Sequence, residues 1–122
     1  SKDAVEASFA QGKIVFFAGG TGHPYFSTDT ATVLRAVEIE AEAILLAKAV
    51  DGIYDSDPKT NPNAVKYDEI SIEEVKKLAA MDLTASIMCM EQKMPMLVFA
   101  LDEKDSIINA VHGKFVGTKV TV

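Results

Sequence analysis

A lone cysteine, Cys89, and the absence of any tryptophan are the first constraints in this chain. One thiol cannot close an internal disulfide, so the fold must rest on packing, and a reducing cytoplasm is the expected compartment. Basic residues are also scarce. Twelve Lys and Arg against 18 Asp and Glu leave a net charge of −6, which disfavours a nucleic-acid backbone or an anionic membrane as the main partner. No apolar run approaches the roughly 18 residues of a membrane span. The amino-terminal "SKDAVEASFAQGK" lacks a basic region followed by an apolar stretch, so export is not expected. Repeats, low-complexity tracts and dividing linkers are missing too. What is present is 122 residues with 48% hydrophobic content, which excludes wholesale disorder. That length suits one domain, or the carboxy-terminal half of a larger one, able to bury roughly two-thirds of its unfolded surface.

The hydrophobic pattern divides the chain into alternating elements. "KIVFFA", residues 13–18, is a short apolar run ended by two glycines and reads as a buried strand. Residues 28–43 place Val33, Leu34, Val37 and Ala41 on one helical face and Arg35, Glu38 and Glu42 on another. "AILLAKAV" is a second strand, followed by the turn-rich "DGIYDSDPKTNPNA". Ser71 with Glu74 forms a capping-box pattern for a helix reaching residue 80. "DLTASIMCMEQK" reads as another helix stopped before Pro95, "MPMLVFAL" as a third strand, "DSIINAVHG" as a helix closed by Gly113 and "GTKVTV" as a fourth strand. This alternation predicts an α/β fold, a layered αβα sandwich with a mainly parallel sheet. With only four strands in view, the chain is expected to be the carboxy-terminal part of something longer.

Two loops carry the candidate chemistry. In "AGGTGHPYFSTD" the glycines let backbone N–H groups converge on an oxyanion while the next helix aims its positive end at the same place. The third glycine of the dinucleotide motif and the lysine of a P-loop are both missing. Ser27, Thr28 and Thr30 equally suit helix capping. Asp29 in a first helical turn gains roughly 0.3 to 1 kcal/mol from the dipole alone. Catalysis and capping both fit. In "VDGIYDSDPKTNPNA", Asp51, Asp55 and Asp57 surround Tyr54, but Lys59 and the lack of a suitably placed glycine break the calcium-loop pattern. Both loops should lie beyond the carboxyl ends of strands, where open α/β sheets bind ligands. His23 and His112 have no metal-ligand spacing, Cys89 sits among methionines as core filling, and no G-x-S-x-G elbow supports hydrolysis.

The strings "FAGGTGHPYFSTDTA", "VDGIYDSDPKTNPNAVKYDEIS", "MDLTAS", "MPMLVF" and "GTKV" together resemble the bacterial uridylate kinases (UMP kinases), members of the amino-acid-kinase fold family. The resemblance covers nearly the whole chain. It implies transfer of the γ-phosphoryl group of ATP to UMP, giving UDP and ADP, in pyrimidine nucleotide synthesis. It also implies Mg2+ accompanying ATP and a cytoplasmic homo-oligomer, hexameric in that family. By position, Thr21, Gly22, His23, Pro24, Tyr25, Phe26, Ser27 and Thr28 would hold UMP, with Gly20, Thr21 and Gly22 against phosphate oxygens. Asp29 would organise the catalytic groups. Lys48, Tyr54 and Asp57 would contact ATP. The family commonly has Asn at the position of His23 and Thr or Asn near Lys48. Its members also carry an amino-terminal half with a phosphate-binding lysine. Two other readings stay open: a nucleotide-binding or assembly fragment without turnover, and another kinase of this fold acting on a carboxylate or carbamate.

Overall fold

The computed structural model describes residues 1–114 and 116–122. In chain order the elements are helix α1 (Lys2–Ala10), helix α2 (Thr28–Glu38), strand β1 (Ile44–Lys48), strand β2 (Glu69–Ser71), helix α3 (Ile72–Lys77), helix α4 (Leu83–Gln92), strand β3 (Met96–Ala100), helix α5 (Ser106–Val111) and strand β4 (Thr118–Thr121). The strands form a single sheet in the order β1-β3-β4-β2. The pairs β1–β3 and β2–β4 are parallel and β3–β4 is antiparallel. The expected α/β layering is therefore present, with one antiparallel seam at the centre.

Register explains the core. Ile44 lies opposite Met96, Met96 opposite Val120, and Val120 opposite Ile70, so one row of side chains crosses the whole sheet on one face. With Leu46 and Val98 it forms a floor against which α2, α3 and α4 set Val33, Val75, Ala85 and Cys89. Met96, Val33, Val75, Val120 and Cys89 are fully buried, and the Cys89 Sγ lies 3.6 Å from the Met96 Sδ. Truncating Met96 to alanine costs about 2 to 5 kcal/mol in a packed interior. The other face carries Phe99, covered by α5 through Ala110.

Three expected elements differ from the structure. Residues 13–18 form no strand and have no ladder partner, and Ile14 and Phe16 are 85% and 92% exposed. Strand propensity is a preference for filling a pleated surface between neighbours, and among the described residues no strand lies opposite this segment. The helix expected over 28–43 stops at Glu38. Glu40 turns left-handed at φ 56°, and the amide of Ala41 donates to the carbonyl of Ala36 at 2.9 Å, closing the end. The helix expected to reach residue 80 stops at Lys77 in the same way, with Ala79 at φ 50° and the amide of Ala80 donating to Val75. Helix α1 and the short strand β2 appear where no element was expected.

Candidate active site

The glycine-rich loop before α2 takes the left-handed backbone that its composition favours, with φ of 60° at Gly20 and 76° at Gly22. Tyr25 adopts φ 70° and is fully exposed, and Phe26 is half-exposed. The Thr21 hydroxyl accepts from the amide of His23 at 3.1 Å, fixing the turn locally. The loop then feeds α2 through Ser27, whose hydroxyl accepts from the amide of Thr30 at 3.2 Å. Ser27 is thus the helix cap, as its residue type allows.

Thr30 connects this cap to a second helix. Its hydroxyl, 4% exposed, donates to Asp82 Oδ2 at 2.7 Å, and the same carboxylate oxygen accepts from the amide of Ala85 at 3.2 Å to cap α4. The Thr30 hydrogen bond, followed by that from Ala85, holds the Asp82 carboxyl below the usual range. The amino-terminal ends of α2 and α4 are therefore bound to each other by one carboxylate.

In the first turn of α2, Asp29 faces the end of β1. Lys48 Nζ lies 3.2 Å from both Asp29 carboxylate oxygens, with side-chain exposures of 32% and 18%. This contact brings the two unusual loops to one rim of the sheet. Lys48 also borders a cleft of about 360 Å3, within the size range of small-molecule sites. Tyr54 and Asp57 line the same cleft, while Leu46 and Val98 line it from the sheet and Leu78 and Met81 from the turn between α3 and α4. Its walls are mostly apolar, with polar groups from Lys48, Tyr54, Asp55, Ser56 and Asp57, the usual make-up of a small-molecule site.

The carboxylates of the second loop do not converge. Asp51 accepts from the Tyr54 phenol at 2.6 Å, a bond that raises the phenol above its usual range, with burial and the Asp51 charge adding to it. Asp55 Oδ1 accepts from the amide of Val65 and Asp57 Oδ1 from the amide of Lys59, each at 2.9 Å. Each acid thus shapes the loop, and among the described residues no group of three or more His, Cys, Asp or Glu is placed to hold a metal.

The structure therefore gathers Lys48, Tyr54 and Asp57 in one cleft and joins Asp29 to it through Lys48. Gly20 and Thr28 lie elsewhere, on a more open groove of about 510 Å3 bordered by Phe16, Phe17, Arg35 and Leu45. Gly22, His23, Pro24, Tyr25 and Phe26 are exposed, while Thr21 and Ser27 are half-buried. Leu78, Met81, Asp82 and Thr118 were not singled out by residue type. For Met81, Asp82 and Thr118 the only signal was membership of "MDLTAS" and "GTKV", strings that carried the resemblance, and Leu78 lies outside both.

Comparison with known proteins bears on the family and the fold. Residues 1–100 match the model of the Amino acid kinase family. Over all of its length the chain is similar to a UMP kinase from Ureaplasma parvum, with 37% identity and a TM-score of 0.92. Over 99% of its length it is similar to a UMP kinase from Bacillus anthracis, at 34% identity and a TM-score of 0.92. A uridylate kinase from Archaeoglobus fulgidus matches 84% of it at 33% identity and a TM-score of 0.73. The chain spans about half the length of each, 53%, 51% and 50% respectively.

Proposed function

This chain belongs to the amino acid kinase family, and from that premise we propose that it supplies the nucleotide-binding part of a UMP kinase. The reaction moves the γ-phosphoryl group of ATP to UMP, giving UDP and ADP, as a step of pyrimidine nucleotide synthesis in the cytoplasm. The observation that carries this reading is the Asp29–Lys48 pair, which links the loop assigned to UMP with the cleft assigned to ATP.

Phosphoryl transfer asks little covalent chemistry of a protein: catalysis comes from alignment and from stabilising charge on the group in flight. In this reading the loop from Thr21 to Thr28 holds UMP, and the amides of Gly20, Thr21 and Gly22 face phosphate oxygens. The phosphate chain of ATP approaches Lys48, whose ammonium offsets the negative charge. Asp29 orients that ammonium. Tyr54, its phenol held by Asp51, packs against the nucleotide, and the free oxygen of Asp57 accepts a hydrogen bond from it. Magnesium enters as part of the MgATP substrate. A homo-oligomer is the proposed state of the full-length protein.

A coupled assay of the full-length protein tests the reading, and absence of UMP-dependent ATP consumption rejects it. Turnover with a carboxylate or carbamate acceptor in preference to UMP would reassign the substrate. Because the chain spans about half of its structural relatives, nucleotide binding without turnover is the second reading for the 122 residues alone. Calorimetry with ATP and UMP, followed by a turnover assay on the same sample, separates the two.

A further inference from the structure

The loop that carries Tyr54 and Asp57 is held at its base by a residue far away in sequence. Its two feet, Ile53 and Tyr67, meet directly once, through the amide of Tyr67 donating to the carbonyl of Ile53 at 2.9 Å. That leaves the Ile53 amide and the Tyr67 carbonyl to be satisfied. Both turn to the hydroxyl of Thr118 on β4, which accepts from the Ile53 amide at 2.9 Å and donates to the Tyr67 carbonyl at 2.5 Å. A hydroxyl offers one hydrogen and free lone pairs, so a single side chain can serve both groups. Thr118 is fully buried and Ile53 is 6% exposed, so solvent is a poor substitute at this point.

The surroundings of the hydroxyl are equally restrictive. A Cβ built on Gly52 would lie 2.7 Å from Thr118 Oγ1 and 2.9 Å from Lys66 Cδ, so a bare backbone is required there. Beyond the feet the loop is tied internally, by the bridge between Tyr54 and Lys66 and by Asn61 Nδ2 donating to Ser56 Oγ at 2.8 Å. It therefore behaves as a preformed flap whose attachment is set mainly at its base.

We propose that Thr118 is a positioning residue: its hydroxyl clips both feet of the 53–67 loop and thereby sets the affinity of the cleft for ATP. This rests on the kinase reading above. The residue touches no nucleotide itself. Its effect passes through Ile53 and Tyr67 to the placement of Tyr54 and Asp57.

The test uses the full-length protein with Thr118→Val, which keeps the shape and removes the hydroxyl, and Thr118→Ser, which keeps the hydroxyl. The net worth of one such bond corresponds to about a five- to tenfold change. Thr118→Val should raise the KM for ATP by that amount and leave the KM for UMP within about twofold, while Thr118→Ser should restore the ATP value. A folded Thr118→Val protein with an unchanged ATP constant, or with both constants rising together, overturns the proposal. Should that variant fail to fold, hydrogen exchange on the wild-type protein decides. An Ile53 amide as protected as those of β3 supports the clip, and one exchanging as fast as residues 56–63 rejects it. A full-length protein without UMP-dependent turnover sinks the kinase reading separately. ATP calorimetry and Ile53 exchange then still judge the clip.

Discussion

Replacing Asp29 by asparagine separates a catalytic role from a capping role, because the two predict different ratios of activity loss to stability loss. Asparagine keeps the size and removes the charge facing Lys48 and the α2 amino terminus, while Ser27 continues to cap the helix. Two unit charges 3.2 Å apart attract by about 5 kcal/mol at an effective dielectric of 20. Solvent reaches both groups, however, and holding a long lysine in place costs entropy, so such pairs contribute only about 0.2 to 1 kcal/mol to folding. Loss of the favourable first-turn charge adds roughly 0.3 to 1 kcal/mol. The stability cost should therefore be about 1 kcal/mol. If Asp29 orients Lys48 toward the transferring group, misalignment should lower kcat by about 100-fold, equivalent to about 2.7 kcal/mol of transition-state stabilisation. Coupled ADP release and denaturant unfolding, both on the full-length protein, give the two numbers. A kcat within threefold of wild type, beside a stability loss near 1 kcal/mol, would refute the reasoning and leave Asp29 as a helix-end charge.

Three further outcomes follow from local features. Burial, and secondarily the charge of Asp29, push the Cys89 thiol from 9.0 up to about 11; thiolate should be about 100-fold scarcer than in the unfolded chain at neutral pH, so a thiol reagent that labels the native protein as fast as the denatured one contradicts the packing. The same raised value makes the thiol's contribution to stability complete below pH 9 and lost as pH climbs toward 11. Asp82, held below its ordinary value of 3.8 by Thr30 and Ala85, contributes stability present above that value and lost as pH falls through the lower folded one; acid titration of Tm should flatten below pH 4 in Asp82→Asn, and an unaltered profile would deny the link between α2 and α4. Ala79→Gly should raise the unfolding free energy by about 0.5 kcal/mol, because relief of the left-handed penalty exceeds the added chain entropy, and a lower denaturant midpoint would show that Ala79 is not strained.

Helix ends show where sequence reading succeeds and where it fails. All five helices among the described residues close through a left-handed residue with an amide reaching five residues back, as at Lys13 to Ser8, Met94 to Cys89 and Lys114 to Asn109. Gly113 supplies that turn for α5, and its glycine announces the stop. For α2, α3 and α4 the turn falls on Glu40, Ala79 and Lys93, residue types with no local preference for it, so tertiary packing sets those ends. The strand expected at residues 13–18 failed for a related reason: apolar composition expresses a demand for neighbours but cannot supply them. Near the cleft, Tyr54 and Asp57 drew attention because they sit in an unusual loop, whereas Lys48, at the end of β1, was named only through the resemblance. Thr118 drew no such attention, because a threonine in an alternating strand looks like any other β-branched residue.

The hydroxyl of Thr118 also imposes an order of events. It reaches Ile53 across 65 residues of sequence and Tyr67 across 51, contacts whose loop-closure entropy is met only once distant segments have come together. While a ribosome is still producing this region, a nascent chain that has exposed Tyr54 and Asp57 but not yet β4 holds an unlatched loop. In the reading proposed above, where this loop contacts ATP, competence to bind the nucleotide arises late, when the central antiparallel seam zips, and it is withheld from partly folded or prematurely ended chains.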